Sequence, residues 1–304
     1  MRSSSALILG VCGAALAAVS SGACGFQTHG ELMSGASSSA SGGGSTSSSQ
    51  AGSGGAASSG SGSGGTVSAS GSGGGSTGSG GTGGAGGGAV TYASCLEWHN
   101  AHPNDPNGVY SLTPPIGPAY PAFCEMEAAG GGWTLALKID GQQDTFLYDQ
   151  PVWTDMAPFA PDKPDLDMQQ AKLPSYLLLS FTALRLGMID GGTTRWKELP
   201  LAGASLHTLL VTGMPVMTSA GKDFWEGLLA SGSMQTNCNW EGLSSNNRVR
   251  IGIVGDESGD CKSPDSVIGF GGKAGFGPSS GNYAHYSPDH GDRTTKTFGY
   301  VLVR

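Results

Sequence analysis

From Ser34 to Ala89 the chain is almost wholly Gly, Ser, Ala and Thr, with Val67 as its only larger apolar residue. No core can be assembled from such a tract, because it has too little apolar surface to offset the entropy of ordering it. The reading is a disordered Gly/Ser linker over residues 24–90, a random coil whose ends lie roughly 40 Å apart for about 55 residues. Folding is then confined to residues 91–304, a single-domain length within the 304-residue chain. Gly73, Gly75 and Gly78 spell a GxGxxG pattern inside the tract. No strand precedes it and no helix follows, so it carries no nucleotide-binding meaning.

The first residues, MRSSSALILGVCGAALAAVSSGAC, combine Arg2 with an apolar run from Ala6 to Val19 and then small residues. That is the layout of a secretory signal peptide, 1–23, and the run is too short for a membrane span. Two processing routes stay open. Ser21-Gly22-Ala23 and Ala15-Leu16-Ala17 both suit signal peptidase. Gly22-Ala23-Cys24 resembles the end of a bacterial lipobox, although Ser21 stands where that pattern has Leu. In the lipoprotein reading Cys24 is the site of lipid attachment, and more than one acyl chain gives a stable anchor. The expected place is extracellular or the outer cell surface, with membrane contact only through that lipid.

A formal net charge of −8, with no basic stripe to replace phosphate counterions, excludes a nucleic-acid partner. Cys12 and Cys24 belong to the leader, which leaves Cys95, Cys124, Cys238 and Cys261. An even count in an exported domain reads as disulfides. Four cysteines allow three pairings; sequential pairing, Cys95–Cys124 and Cys238–Cys261, closes two modest loops and is preferred. No CxxC spacing supports a metal site.

Two stretches then carry a resemblance. "SCLEWHNAHPNDPNGVYSLTP" begins at Ser94, and "YPAFCEMEAAGGGWTLALK" ends at Lys138. Ser94, Cys95 and Glu97, then Gly108-Val109-Tyr110, then Cys124-Glu125-Met126, then Gly130 to Thr134 follow one another in fixed order. This resembles a fibrinogen C-terminal-like domain of the bacterial "YCDxxxxGGGW" type, distantly intelectin-like, with Glu125 in the place of Asp. The resemblance implies an α+β domain with two disulfides, the first tying an opening helix or loop to a strand. It also implies that Gly130–Gly132 turn into the next strand and that Trp133 packs in the core. Residues 248–272 and 285–304 resemble the end of such domains, closing on a central strand that fits the alternation of residues 297–303.

The middle is less specific. Helix-compatible polar residues run up to Lys172, with Pro174 expected to end that helix, and 181–188 reads as a strand. His99 and His102, beside Pro103, are read as loop residues, and His207 as half-buried and structural.

Chemistry concentrates in two places. "GDESGDCKSPD" brings Asp256, Glu257, Asp260 and Asp265 onto a Gly/Ser loop, which suits calcium and its demand for six to eight oxygens. It is no EF-hand. Asn282, Tyr283, His285 and Tyr286, with Asp289 and His290 close behind, form an aromatic and polar group suited to a sugar or small acyl group. In intelectin-like lectins a bound calcium holds a glycan diol that aromatic side chains box, and Tyr286 stands where a boxing tyrosine would. No HExxH, P-loop or nucleophile elbow occurs in the folded region. The expectation is a non-catalytic binding protein with calcium as its cofactor and a glycan, acylated sugar or other cell-surface ligand as its partner. The alternative is a structural or adhesive protein that binds another protein.

Overall fold

The computed structural model describes residues 90–304. The signal peptide, Cys24 and all of the Gly/Ser linker except Val90 lie outside the described residues. The expected α+β class holds, with strands dominating.

Ser94 opens the first helix, α1 (Cys95–Ala101), by accepting a hydrogen bond from the Glu97 N–H at 3.2 Å. The Glu97 carboxylate in turn accepts from the Ala93 N–H, so both sides of the helix start are capped. His99 therefore lies on a helix and His102 at its C-cap, where a loop was expected. Strands β1 (Gly108–Leu112), β2 (Tyr120–Glu125) and β3 (Trp133–Asp140) follow. The turn before β3 has all three glycines at positive φ, Gly130 at 83°, Gly131 at 66° and Gly132 at 73°. That backbone region penalises any Cβ, so the three glycines are the turn.

After β4 (Ala171–Lys172) comes α2 (Pro174–Leu178), in which Pro174 starts the helix. The expected helix up to Lys172 does not form: the chain from 167 to 170 runs through bends into the two-residue strand β4. A proline's missing N–H costs nothing in a first turn, so it opens a helix as readily as it stops one. β5 (Phe181–Asp190), β6 (Thr193–Gly203), α3 (Leu206–Leu210), β7 (Val216–Met217) and α4 (Lys222–Glu226) complete the middle. His207, on α3, is half-buried and contacts the Thr154 carbonyl at 3.1 Å, a structural role as expected. The last third is β8 (Asn237–Ser245), β9 (Val249–Asp256), β10 (Ser266–Gly272), β11 (Ser280–Ala284), β12 (Arg293–Lys296) and β13 (Phe298–Val303).

Two antiparallel sheets result. One runs β1-β2-β3-β13-β5-β6 with β4 on β3, and the other runs β12-β11-β10-β9-β8-β7. The C-terminal strand is central in the first sheet, as its alternation predicted. A main core is shared by Leu186 and Val301 from that sheet, Ile251, Ile268 and Phe270 from the other, and Trp225 from α4. A second apolar layer joins α1 to the first sheet through Cys95, Trp133, Leu135, Tyr300 and Leu302.

Between these layers β3 switches faces. Val301 pairs with Leu137 and Leu302 with Leu135, so Ala136 is an extra residue. This bulge sends Leu135 into the second layer and Leu137 into the main core. Two fully buried lysines tie down the long segment 141–170. Lys138 pairs with Asp167 and donates to the Asp165 carbonyl, and Lys172 pairs with Asp155 and donates to the carbonyls of Val152 and Asp155. Each ammonium is stable without water because carbonyls and a carboxylate replace its hydration.

The disulfides are Cys95–Cys124 and Cys238–Cys261, the sequential pairing. By restricting the unfolded chain each contributes about 3 kcal/mol. The pair indicates folding in an oxidising compartment.

Candidate functional site

The acidic loop joins β9 to β10, and its first residue organises it. Asp256 is 1% exposed, and its Oδ1 accepts from the Ser258 N–H (2.8 Å), the Ser258 hydroxyl (2.8 Å) and the Asp260 N–H (3.1 Å). The Cys238–Cys261 bridge fastens the loop to β8, and Asn246 donates to the Cys261 carbonyl at 2.6 Å. Asp265 returns the chain to the sheet through its N–H to the Gly255 carbonyl at 2.9 Å.

Three of the four expected acids converge. Carboxylate oxygens of Asp256, Glu257 and Asp265 lie within 4.8 Å of one another. Asp260 stands outside this group: its carboxylate accepts from the Lys262 N–H and the Ser263 hydroxyl and so closes its own turn. Burial, then the neighbouring Glu257 and Asp256, push the Asp265 carboxyl up to about 7. The direction is what three crowded acids dictate, since removing the last proton sets like charges side by side.

This shift fixes a sign for stability. The folded protein holds the Asp265 proton above the pH at which the unfolded chain loses it, so the stabilisation is present in acid and lost as pH rises. In EDTA, the midpoint of thermal unfolding is expected to contain a component that falls between about pH 4 and pH 7. Asp265→Asn should remove that component. A pH profile identical in the variant would contradict the assignment.

The aromatic group divides. Asn282 is fully buried: Oδ1 accepts from the Ser233 N–H, and Nδ2 donates to the carbonyls of Ser233 and Val267, each at 3.0 Å. No atom of its amide is left for a ligand. Tyr283, on the outer side of β11, lies between Phe276 and His285, with ring centroids 5.6 and 4.4 Å away. His285 reaches the Thr294 hydroxyl at 3.3 Å and the Asp292 carboxylate at 3.4 Å. Tyr286 is 68% exposed, and both it and Ser287 hold positive φ, 64° and 63°. Gln235 sustains that strained turn by donating to the carbonyls of His285 and Tyr286. The acidic loop and this turn are neighbours, because the His285 N–H donates to the Asp265 carbonyl at 3.2 Å.

Asp289 and His290 belong elsewhere. Both gather with Glu226 of α4, and Lys222 pairs with Asp289. Burial, followed by the Asp289 charge, raises the Glu226 pKa. The lysine balances the charge, and the group joins α4 to the segment after β11. Sequence reasoning missed Lys222 and Glu226 because more than sixty residues separate them from Asp289.

It also missed a cavity of about 290 Å³ on the outer side of the second sheet. Phe276, Tyr283, Thr294, Lys296 and Asp144 line it, beside a glycine-rich loop. Phe276 and Tyr283 rest on a small apolar cluster of Val249, Val254 and Val267. No local pattern brings these residues together; strand pairing does.

No family model matches the chain. Among solved structures, it is similar to the fibrinogen-like globe domain of human ANGPTL6, at 16% identity and a TM-score of 0.35, over 71% of this chain and 96% of that one.

Proposed function

We propose that the domain at 91–304 is a non-catalytic recognition module of the fibrinogen-like kind that uses calcium to organise a glycan or acylated-sugar site. The observation that carries the reading is the convergence of Asp256, Glu257 and Asp265 next to the exposed turn of His285 and Tyr286. Three hard anionic oxygens on a disulfide-fastened loop suit calcium better than a softer metal. Burial and then the crowding of Glu257 and Asp256 raise the Asp265 pKa, and a divalent cation would relieve the second of these. The residues that would hold the ion are Asp256, Glu257 and Asp265, and the ion would supply positive charge toward ligand hydroxyls. Tyr286, exposed and backbone-strained, is the side chain best placed to close over a sugar.

Saturating calcium is expected to raise the melting temperature. Ligand at about a hundredfold over its Kd stabilises by ~2.7 kcal/mol, and roughly 2–4 °C accompany each kcal/mol in a domain of this size. Asp265→Asn should abolish the rise. It is the cleaner variant, because Asp256 also caps the loop. A glycan array read with calcium and again with EDTA tests the ligand. Melting curves indifferent to calcium would remove the metal from the reading, and a blank array would remove the sugar.

A further inference from the structure

Phe276, Tyr283 and His285 form a row of rings, with centroids spaced at 5.6 and 4.4 Å, on the outer side of the second sheet. One end of the row walls the cavity of about 290 Å³, and at the other end the backbone of His285 is joined to the acidic loop by its N–H to the Asp265 carbonyl. Thr294 belongs to both ends, lining the cavity and meeting the His285 ring at 3.3 Å. Phe276 is held in place, half-buried on the valine cluster with the Arg248 guanidinium over its ring at 5.2 Å from the centroid.

We propose that this face is an oligosaccharide groove, with a second sugar subsite in the cavity between Phe276 and Tyr283. The inference rests on the reading that the turn at His285 and Tyr286 takes the first sugar. It adds the length of the ligand and the residues that read the extra units.

The Phe276 and Tyr283 rings, tilted 51° to one another, wall the cavity and offer apolar contact to the C–H groups of a sugar lodged there. The cavity matches one or two pyranose rings, being at the small end of ligand-pocket volumes. Its polar side chains are one carboxylate, Asp144, one ammonium, Lys296, and the hydroxyls of Thr294 and Tyr283, while the Ser279 hydroxyl is buried and donates to the Gln143 carbonyl. One negative and one positive charge cancel, so the subsite selects a neutral polyhydroxylated ligand over an acidic or basic one. Lys296 stands opposite Gly281 in the β11–β12 ladder, and Thr294 stands opposite Tyr283. Lys296 and Thr294, both on β12, therefore flank the row on one side.

The test is isothermal titration calorimetry on the calcium-loaded protein with two neutral series, N-acetylglucosamine and its oligomers up to the tetramer, and glucose with its β-1,4 oligomers. Affinity for at least one series should rise tenfold or more from monomer to trimer. Phe276→Ala should return the trimer to the monomer's affinity and leave the monomer unchanged. Since Phe276 is half-buried, Lys296→Ala serves as an exposed second variant, expected to weaken the trimer about fivefold, the equivalent of one hydrogen bond, with an unaltered melting curve. Monomer binding with no gain on lengthening, or a gain untouched by both variants, overturns the groove and leaves the first subsite standing. A length-dependent gain that survives EDTA and is lost in Phe276→Ala supports the groove and overturns the calcium reading. No heat from any probe overturns both.

Discussion

Gly131→Ala is expected to destabilise the domain by about 3 kcal/mol or more, combining a disfavoured left-handed conformation with a backbone clash. Gly131 sits at φ 66°, and an added Cβ would lie 2.3 Å from the Met126 carbonyl oxygen and 2.6 Å from the His99 ring. The histidine ring has freedom to move, but the carbonyl is backbone and fixed. At about 2–4 °C per kcal/mol the melting temperature should fall by roughly 6–12 °C or more. Gly275 provides the control. It has φ 75°, but its missing Cβ faces open space, so Gly275→Ala measures conformational strain alone, about 1 kcal/mol. Circular dichroism melts of the two variants decide the matter, and equal losses would mean that the close approach at Gly131 is unimportant.

Asn282→Ala separates a structural role from a ligand-contacting one. The buried amide serves the Ser233 N–H and the carbonyls of Ser233 and Val267, which would be left short of partners away from water. Each such group costs about 1–3 kcal/mol, so a total loss of at least roughly 3 kcal/mol is expected. The damage should spread to the turn that follows β11, because Ser233 also accepts from the His290 N–H and donates to the Gly291 carbonyl. Normal thermal stability with lost sugar binding would instead make Asn282 a ligand contact, and the hydrogen-bond account would fail.

Several elements were readable before the structure, each for a local reason. Gly130–Gly132 announced a turn because only glycine takes three positive φ values in succession without penalty. β13 announced itself by alternation, since Phe298, Tyr300 and Leu302 face one layer while Val301 and Val303 face the other. β3 concealed the same rule: one inserted residue at Ala136 inverts its alternation, and the bulge exists only in the pairing with β13. Pro174 misled because proline is equally suited to the residue after a helix and to its first turn.

In the candidate site the residue types were legible and their roles were not. Asp260 and Asp265 are equivalent on paper. One turns back on Ser263 while the other meets Glu257, and the difference lies in which way a nine-residue loop folds. Asn282 and Tyr283 are adjacent in the chain, yet pleating puts one inside the protein and the other on the ring-lined face.

What the chain determined by itself was the chemistry available: glycines for the turn before Trp133, four sulfurs for two bridges, four carboxylates on one short loop, and a tail able to alternate into a central strand. Tertiary structure alone decided which of those groups meet. The cavity, the pairing of Lys222 with Asp289 and the burial of Lys138 and Lys172 join residues far apart in sequence through strand order, register and the side of each strand. Those are properties of the packed sheets, and no single segment contains them.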